Sequence, residues 1–213
     1  MGNARVLRQL PAGLRKSRAP DLAGMERAVA DFLTAAGLDV TSAALAETPA
    51  RVAEAWASGF LDGYRRTPKD ALAETYPAPA GSRGELVVVT GFRFHSMCPH
   101  HLLPVEGRAH LAYVPGRRVV GFGRLGALVD TLAHRLVLQE TLAREVAHAL
   151  ANELGSPATA CVLEARQACL RARGEEQSDA VTHAEAYTGT LRKDGPLRRE
   201  LWVRIAAFHG TSR

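Results

Sequence analysis

Apolar residues recur at helical spacing in the first quarter of the chain. Over residues 21–36 they return every three or four positions, which predicts a helix with Asp21 at its N-cap and Gly37 at its end. A second helix is predicted to begin at Thr48, a capping residue that is followed by proline. The stripe of this second helix is interpreted as core and consists of Val52, Trp56 and Phe60.

The rest of the chain mixes strand-like and helical patterns. Residues 64–84 are rich in Pro, Gly, Arg and Ala, which predicts a linker. Alternating apolar runs predict strands at 85–94 and 108–115. Helices are predicted at 120–135 and 138–154, the second of them ended by Gly155, and further strands at 158–170 and 200–208. The predicted order is therefore helix, helix, strand, strand, helix, helix, strand, strand, without an internal repeat.

Composition and charge narrow the class of protein. A chain of 213 residues with 46% hydrophobic content suits one well-cored domain with a small helical appendage. The net charge of +5 comes from residues 1–20, which hold five basic and no acidic side chains. This arm is interpreted as solvated and disordered, with a weak nucleic-acid contact as the lesser alternative. Because the remainder is balanced in charge and lacks a membrane span or a secretory signal, we expect a cytoplasmic protein with no nucleic-acid or membrane partner.

Three cysteines in a chain of this length indicate metal binding, catalysis or burial rather than a disulfide framework. The segment CPHH at 98–101 places Cys98 and His101 across a predicted tight turn, where both side chains can converge on one ion. Cys169 and Cys161 are the candidates for a third ligand, eight residues apart on one predicted strand. Cys161 lies in an apolar run that favours a buried thiol, so Cys169 is the better candidate.

Two thiolates and one imidazole would leave a coordination position open, which is typical of catalytic zinc. The alternative is that Cys98 and His101 are merely packed turn residues.

Several segments resemble the sequence motifs of the GTP cyclohydrolase I family. The resemblance extends from about residue 25 to residue 207, and its blocks follow one another in the family's order. They are ETPARVAEAW (47–56), FHSMCPHHLLPVEGRAHLAYVP (94–115), VGFGRLGALV (120–129), LVLQETLAREVAHAL (136–150) and LEARQACLRARG (163–174).

This resemblance implies an α+β fold of the T-fold type, in which an antiparallel sheet of two hairpins is backed by two helices. The expected organisation is a basic arm at 1–20, an N-terminal helical hairpin within 21–66 and the T-fold catalytic domain at 85–210. The resemblance further implies a homo-oligomer, a decamer of two stacked pentameric rings with active sites between subunits. It assigns zinc as the cofactor, with Cys98, His101 and Cys169 as its ligands.

The family's reaction opens the imidazole ring of GTP through water attack at C8, releases formate and recloses the ring as 7,8-dihydroneopterin triphosphate. By resemblance, His100 is a catalytic histidine and Glu140 binds guanine, with a helix N-terminal charge as the alternative role of Glu140. Arg173 and Arg124 match triphosphate-binding positions. Arg51 is a further candidate, although a surface salt bridge is an equal alternative for it.

Four positions depart from the family pattern. Gln167 stands where the family has a second catalytic histidine, and glutamine cannot carry protons. Pro99 replaces a glutamate, Ala127 an arginine and Gly123 a serine. The hypothesis is a divergent enzyme that stops at a ring-opened or formylated product or accepts another purine nucleotide.

Two questions stay open at the level of sequence. The first is whether another histidine compensates for Gln167, the conceivable substitutes being His95, His110 and His183. The second is whether the chain is a catalytically impaired paralogue that binds a nucleotide or pterin, or regulates a partner ring.

Overall fold

The computed structural model describes residues 19–82, 84–172 and 179–211. The chain divides into two compact units, with the boundary between Arg65 and Arg66. The predicted basic arm at 1–20 lies almost wholly outside the described residues. No helix in the described segments is long and apolar enough to cross a membrane.

The first unit contains two packed helices, as predicted. Helix α1 (Leu22–Ala35) is capped by Asp21, whose carboxylate accepts a hydrogen bond from the Gly24 N–H at 2.9 Å. Gly37 follows it with φ +81°, which favours glycine. Helix α2 (Thr48–Ala55) continues into a π-helical turn (Trp56–Phe60) and a 3₁₀ turn (Asp62–Arg65).

The prediction that the apolar stripe of α2 belongs to the core is wrong. The side chains of Val52, Trp56 and Phe60 are only partly buried and line an open concavity on this unit. No residue of α1 is buried either. Two short helices have too little surface to enclose an apolar stripe by themselves, so helical periodicity here did not imply a core.

The second unit is built on one antiparallel sheet. Its four strands lie side by side in the order in which they occur along the chain, so two hairpins meet at the pair formed by the second and third strands. These strands are β2 (Val87–Met97), β3 (Pro104–Tyr113), β5 (Thr159–Gln167) and β6 (Thr182–Tyr187). A separate two-stranded sheet pairs β1 (Thr75–Pro77) with β4 (Arg118–Val120). Helices α4 (Phe122–Ala133) and α5 (Gln139–Leu154) pack against the large sheet, which confirms the predicted α+β T-fold.

Strand alternation gives the sheet two apolar faces. On one face, Leu111 and Leu163 pack with α4 and α5 in the larger core cluster. On the other face, Val162 packs with Leu201 and Ile205 of α7 (Pro196–Thr211). Each face therefore buries its own set of side chains, and neighbouring residues of β3 and β5 belong to different sides of the sheet.

Three predicted segments differ in the structure. The expected linker contains α3 (Pro68–Ala71) and β1 instead of irregular chain alone. The strand predicted at 158–170 ends at Gln167, and a helical turn, α6 (Ala168–Arg171), follows it. The strand predicted at 200–208 lies inside α7, because its buried residues Leu201 and Ile205 are four apart, which is a helical spacing. Strand β6 was not predicted.

Candidate active site

The turn between β2 and β3 presents the first two candidate ligands. The Cys98 N–H donates to the Leu103 carbonyl, and the Leu102 N–H donates to the Cys98 carbonyl, each at 2.9 Å. These bonds close a compact bend in which Leu102 adopts φ +53°. Cys98 is buried at the base of the bend, whereas His100 and His101 are exposed at its tip.

Cys98, His101 and Cys169 come together at this bend. The Cys98 Sγ lies 3.9 Å from the His101 Nδ1, and the ligand atoms of all three residues lie within 4.8 Å of one another. Zinc bonds of about 2.0–2.3 Å need ligand atoms only slightly closer than this. Cys169 reaches the group from α6 and not from a strand, so its predicted shared strand face with Cys161 is wrong although the convergence holds. Cys161 is fully buried in the core, as predicted.

The donor chemistry of this group fits a zinc ion. Burial, and then the adjacent Cys98 sulfur, raise the pKa of the Cys169 thiol. The thiolate form of Cys169 is thus disfavoured unless a cation lies beside it. A divalent ion would reverse that preference, since thiolates are its natural soft ligands.

A cavity of about 160 Å³ lies beside this group of ligands. Its wall includes Cys98, Pro99, Glu140 and Gln167. Glu140 is an exposed residue in the first turn of α5. The candidate guanine-binding carboxylate and the Gln167 side chain therefore share one cavity with a candidate metal ligand.

Gln167 is held in a network of amides and hydroxyls. Its Nε2 donates to the Gln139 Oε1 at 3.1 Å and to the Thr182 Oγ1 at 3.3 Å. The Cys169 Sγ lies 3.8 Å from the Gln167 Oε1, so the network reaches the candidate ligands. Gln167 was predicted to face the metal because it shares a strand face with Cys169. Strand β5 ends at Gln167, however, and the turn into α6 brings the Cys169 sulfur close to the Gln167 amide.

Gln139 is a structural residue of the site that the sequence reasoning missed. Its side chain is buried, and its Nε2 donates to the carbonyls of Leu163 and Thr182 at 3.1 Å each. Its Oε1 also accepts from the Thr182 hydroxyl at 2.6 Å. The bonds tie the first turn of α5 to β5 and β6. The sequence feature that could have indicated this role is a glutamine directly before Glu140, at the start of an amphipathic helix.

All three histidines proposed as substitutes for Gln167 lie, by strand register, on the opposite face of the sheet. Gln167 pairs with Val105, whereas His110 pairs with Val162, five residues earlier on β5. Because side chains alternate along a strand, His110 and Gln167 point to opposite faces. His183 pairs with Glu164 and shares the face of His110. His95 pairs with Glu106, whose partner on β5 is Arg166, so it also points away from the Gln167 face. Its ring stacks on His134 with the ring centroids 4.3 Å apart.

Of the candidate phosphate-binding arginines, Arg124 is the one that the structure describes in the second unit, and it does not line the cavity. Arg124 donates to the Glu74 carboxylate at 2.7 and 2.9 Å and is not among the described residues that line the cavity. Arg51 belongs to the first unit and forms an exposed ion pair with Glu47, one helical turn earlier. Arg173 lies outside the described residues.

The sheet order, the helix pair and the convergence of two cysteines with one histidine define a T-fold protein with a candidate metal site. Sequence comparison then gives the particular family, because the pattern described as GTP cyclohydrolase I matches residues 25–206. The chain belongs to the GTP cyclohydrolase I family.

Individual relatives share most of their length with this chain. A GTP cyclohydrolase 1 from Chromobacterium violaceum is 38% identical over 88% of this chain and 89% of its own length. A GTP cyclohydrolase 1 from Ralstonia nicotianae is 37% identical, with 88% of both chains covered. One from Deinococcus radiodurans is 36% identical over 89% of this chain and 85% of its own. Among solved structures, the apo form of archaeosine synthase QueF-Like matches 52% of this chain and 97% of its own, with TM-score 0.42 and 18% identity.

Proposed function

We propose that this protein catalyses zinc-dependent hydrolytic opening of the imidazole ring of GTP. The observation that carries the proposal is the convergence of Cys98, His101 and Cys169 beside a cavity that Glu140 and Gln167 line. Bound zinc would supply a Lewis acid that makes hydroxide available near neutral pH. The family relationship supports GTP as the substrate.

The chain's own residues divide the remaining work. Glu140 accepts hydrogen bonds from the two N–H groups on one edge of guanine, a bidentate arrangement that fixes the base. His100, exposed beside His101 on the bend, exchanges protons with the purine nitrogens and the ribose oxygen. Gln139 acts only as a positioning residue, because its amide is occupied by the backbone of β5 and β6.

The phosphates lie outside the cavity in this proposal. A cavity of about 160 Å³ is smaller than the roughly 300–1,000 Å³ of ordinary ligand pockets and suits a base alone. Arg124 becomes available when its exposed pair with Glu74 opens, which costs little because exposed ion pairs contribute about 0–1 kcal/mol. Arg173 and Arg51 are the further candidates. A homo-oligomer, with two stacked pentameric rings as the expected form, would bring residues of a second subunit to the open side.

The state of Gln167 supports a reaction that ends early. Its amide bonds to Gln139 and Thr182 and has no titrating group, so it anchors the site without moving protons. Ring opening needs fewer proton transfers than formate release and ring closure together. We therefore expect a ring-opened or formylated product to accumulate ahead of 7,8-dihydroneopterin triphosphate. The same observation favours the second candidate function, a catalytically impaired paralogue that binds a nucleotide or pterin or regulates a partner ring.

One experiment separates these functions. The zinc-loaded protein is incubated with GTP, and the purine absorbance, released formate and product masses are followed together. Loss of the purine band with a product one water heavier than GTP supports early termination. A preserved band with bound nucleotide establishes the binding protein instead, and rapid formation of the full pterin product refutes the role given to Gln167.

A matched pair of cysteine variants tests the metal. Cys169→Ser is expected to lose tightly bound zinc and ring opening, whereas Cys161→Ala keeps both because its thiol lies in the apolar core. Stoichiometric zinc in Cys169→Ser, measured by elemental analysis, would show that the ligand set is wrong.

A further inference from the structure

A second group of metal-binding side chains lies on the sheet face that α7 covers. His110 of β3, Glu164 of β5 and His209 of α7 each offer a ligand atom, and these atoms lie within 4.8 Å of one another. The His209 Nε2 is 2.9 Å from the Glu164 Oε1, and the His110 Nε2 is 3.9 Å from the same oxygen. Two imidazoles thus converge on one carboxylate.

His110 is the unusual member of this group. Its side chain is 0% exposed, and neither ring nitrogen has a hydrogen-bond partner among the described residues. Burying an imidazole without hydrogen-bond partners is unfavourable, which is why most buried polar groups are paired. The 3.9 Å to Glu164 is too long for a hydrogen bond. Two atoms that share an ion through bonds of about 2.1 Å lie at most about 4.2 Å apart, so the separation is compatible with a shared ion.

We propose that His110, Glu164 and His209 form a second metal site, which takes a divalent transition ion such as zinc or cobalt. Two imidazoles and one carboxylate are a common ligand set for such ions, and three ligands leave coordination positions for water. Glu164 is 15% exposed and His209 is 45% exposed, so the ion has a path from solvent to the buried imidazole.

This site is separate from the cavity on the other face. His110 and Glu164 occupy positions that alternate with those of the Gln167 face, so the sheet itself lies between the two groups. The inference therefore rests on a different set of residues from the proposed function. It also gives the buried His110 a role that the cyclohydrolase chemistry does not use.

The surrounding charges are mixed. Arg108 is the register partner of Glu164 on the neighbouring strand, and its guanidinium lies over the Phe208 ring, 5.3 Å from the ring centroid. The positive charge of this guanidinium disfavours a cation nearby. Its guanidinium also donates to the Gly91 carbonyl at 3.3 Å, which anchors it to β2. Burial lowers the pKa of His110, so the neutral imidazole that metals bind is the prevailing form. We expect binding tight enough for stoichiometric loading with micromolar free metal but weaker than that of the thiolate group.

Cobalt(II) distinguishes the two sites by colour. Thiolate ligands give strong charge-transfer absorption, whereas nitrogen and oxygen ligands give only weak visible bands. The full-length protein, stripped with a chelator, is titrated with cobalt while bound metal is measured by equilibrium dialysis. We expect two equivalents per chain in the wild type and one equivalent in Cys169→Ser, the latter without charge transfer.

Variants of the exposed ligand test the assignment without disturbing the core. His209→Gln keeps a hydrogen-bond donor for Glu164 but removes the imidazole, so it should lose one equivalent and leave the charge-transfer band unchanged. His148→Ala, an exposed histidine of α5, is the matched control and should retain two equivalents.

Thermal unfolding adds a readout that a purely structural role would not change. Cobalt should raise the unfolding midpoint of Cys169→Ser but not that of the Cys169→Ser, His209→Gln double variant. A single equivalent in the wild type, or two equivalents in His209→Gln, would overturn the proposal. Either result leaves the ring-opening reaction untouched, so the two hypotheses fail separately.

Discussion

Gln167→His tests whether the missing imidazole limits the reaction. The residue lies at the end of β5, half-buried, with its amide oxygen 3.8 Å from the Cys169 sulfur. An imidazole at this position would face the candidate metal group and the cavity. A positioned general acid or base typically contributes about 10²–10⁴ in rate. We therefore expect formation of 7,8-dihydroneopterin triphosphate to rise by about 10² or more, with a smaller change in loss of the purine band.

The substitution should cost modest stability. Gln167 donates to Gln139 and Thr182, and each hydrogen bond contributes about 0.5–1.5 kcal/mol net. Histidine can retain at most one of the two, so the free energy of unfolding should fall by about 1 kcal/mol. A domain with about 5–15 kcal/mol of stability remains folded after such a loss.

The assay compares the wild type, Gln167→His and Gln167→Ala at equal zinc content. Product masses and formate are measured over time, and denaturant unfolding verifies that each variant is folded. Gln167→Ala should resemble the wild type in its product, since neither side chain carries a proton. A folded, zinc-loaded Gln167→His that makes no more of the final pterin than the wild type would refute the reasoning.

Four other measurements probe the surroundings of the site. Gln139→Leu should lower the free energy of unfolding by about 2–4 kcal/mol in denaturant titration, because the buried Leu163 carbonyl and the partly buried Thr182 carbonyl lose their donor. A loss below about 1 kcal/mol would contradict this. Gly107→Ala should cost about 3 kcal/mol or more, since a Cβ there would lie 2.0 Å from a backbone oxygen of β5. Leu102→Gly should be nearly neutral whereas Leu102→Val costs about 1–2 kcal/mol, as expected for a residue at φ +53°. Burial raises the pKa of Glu145 despite the nearby Arg135, so the folded state binds the proton more tightly and the free energy of unfolding falls as the pH rises from about 4. The stability of Glu145→Gln relative to the wild type should therefore increase between pH 4 and pH 7. A stability difference that does not change with pH would contradict this reasoning.

Local patterns predicted the elements that carry the site. The strong helical period of residues 138–154 and the glycine after it place α5, and Gly155 ends the helix with φ +58°. A cysteine and a histidine three apart predicted a convergence that the closed bend at 98–103 produces. These signals are local, so no tertiary information was needed.

The misassigned segments depend on tertiary contacts instead. Residues 200–208 combine β-branched and aromatic side chains, yet the burial of Leu201 and Ile205 beneath the sheet gives a helix. Propensity is a weak signal beside such packing. The network of Gln139 with Thr182 joins residues 43 positions apart, and no pattern along the chain predicts it.

Strand alternation also limits which residue could take the role predicted for a histidine at position 167. A substitute must lie on the face of Gln167, and His95, His110 and His183 all belong to the opposite face. The register partner of Gln167 is Val105, a buried apolar residue that cannot carry protons. A proton carrier on that side would then be His100, or a group of a second subunit placed over the open cavity. If Gln167→His restores the complete reaction while the wild type stops early, neither alternative does the work of the missing imidazole.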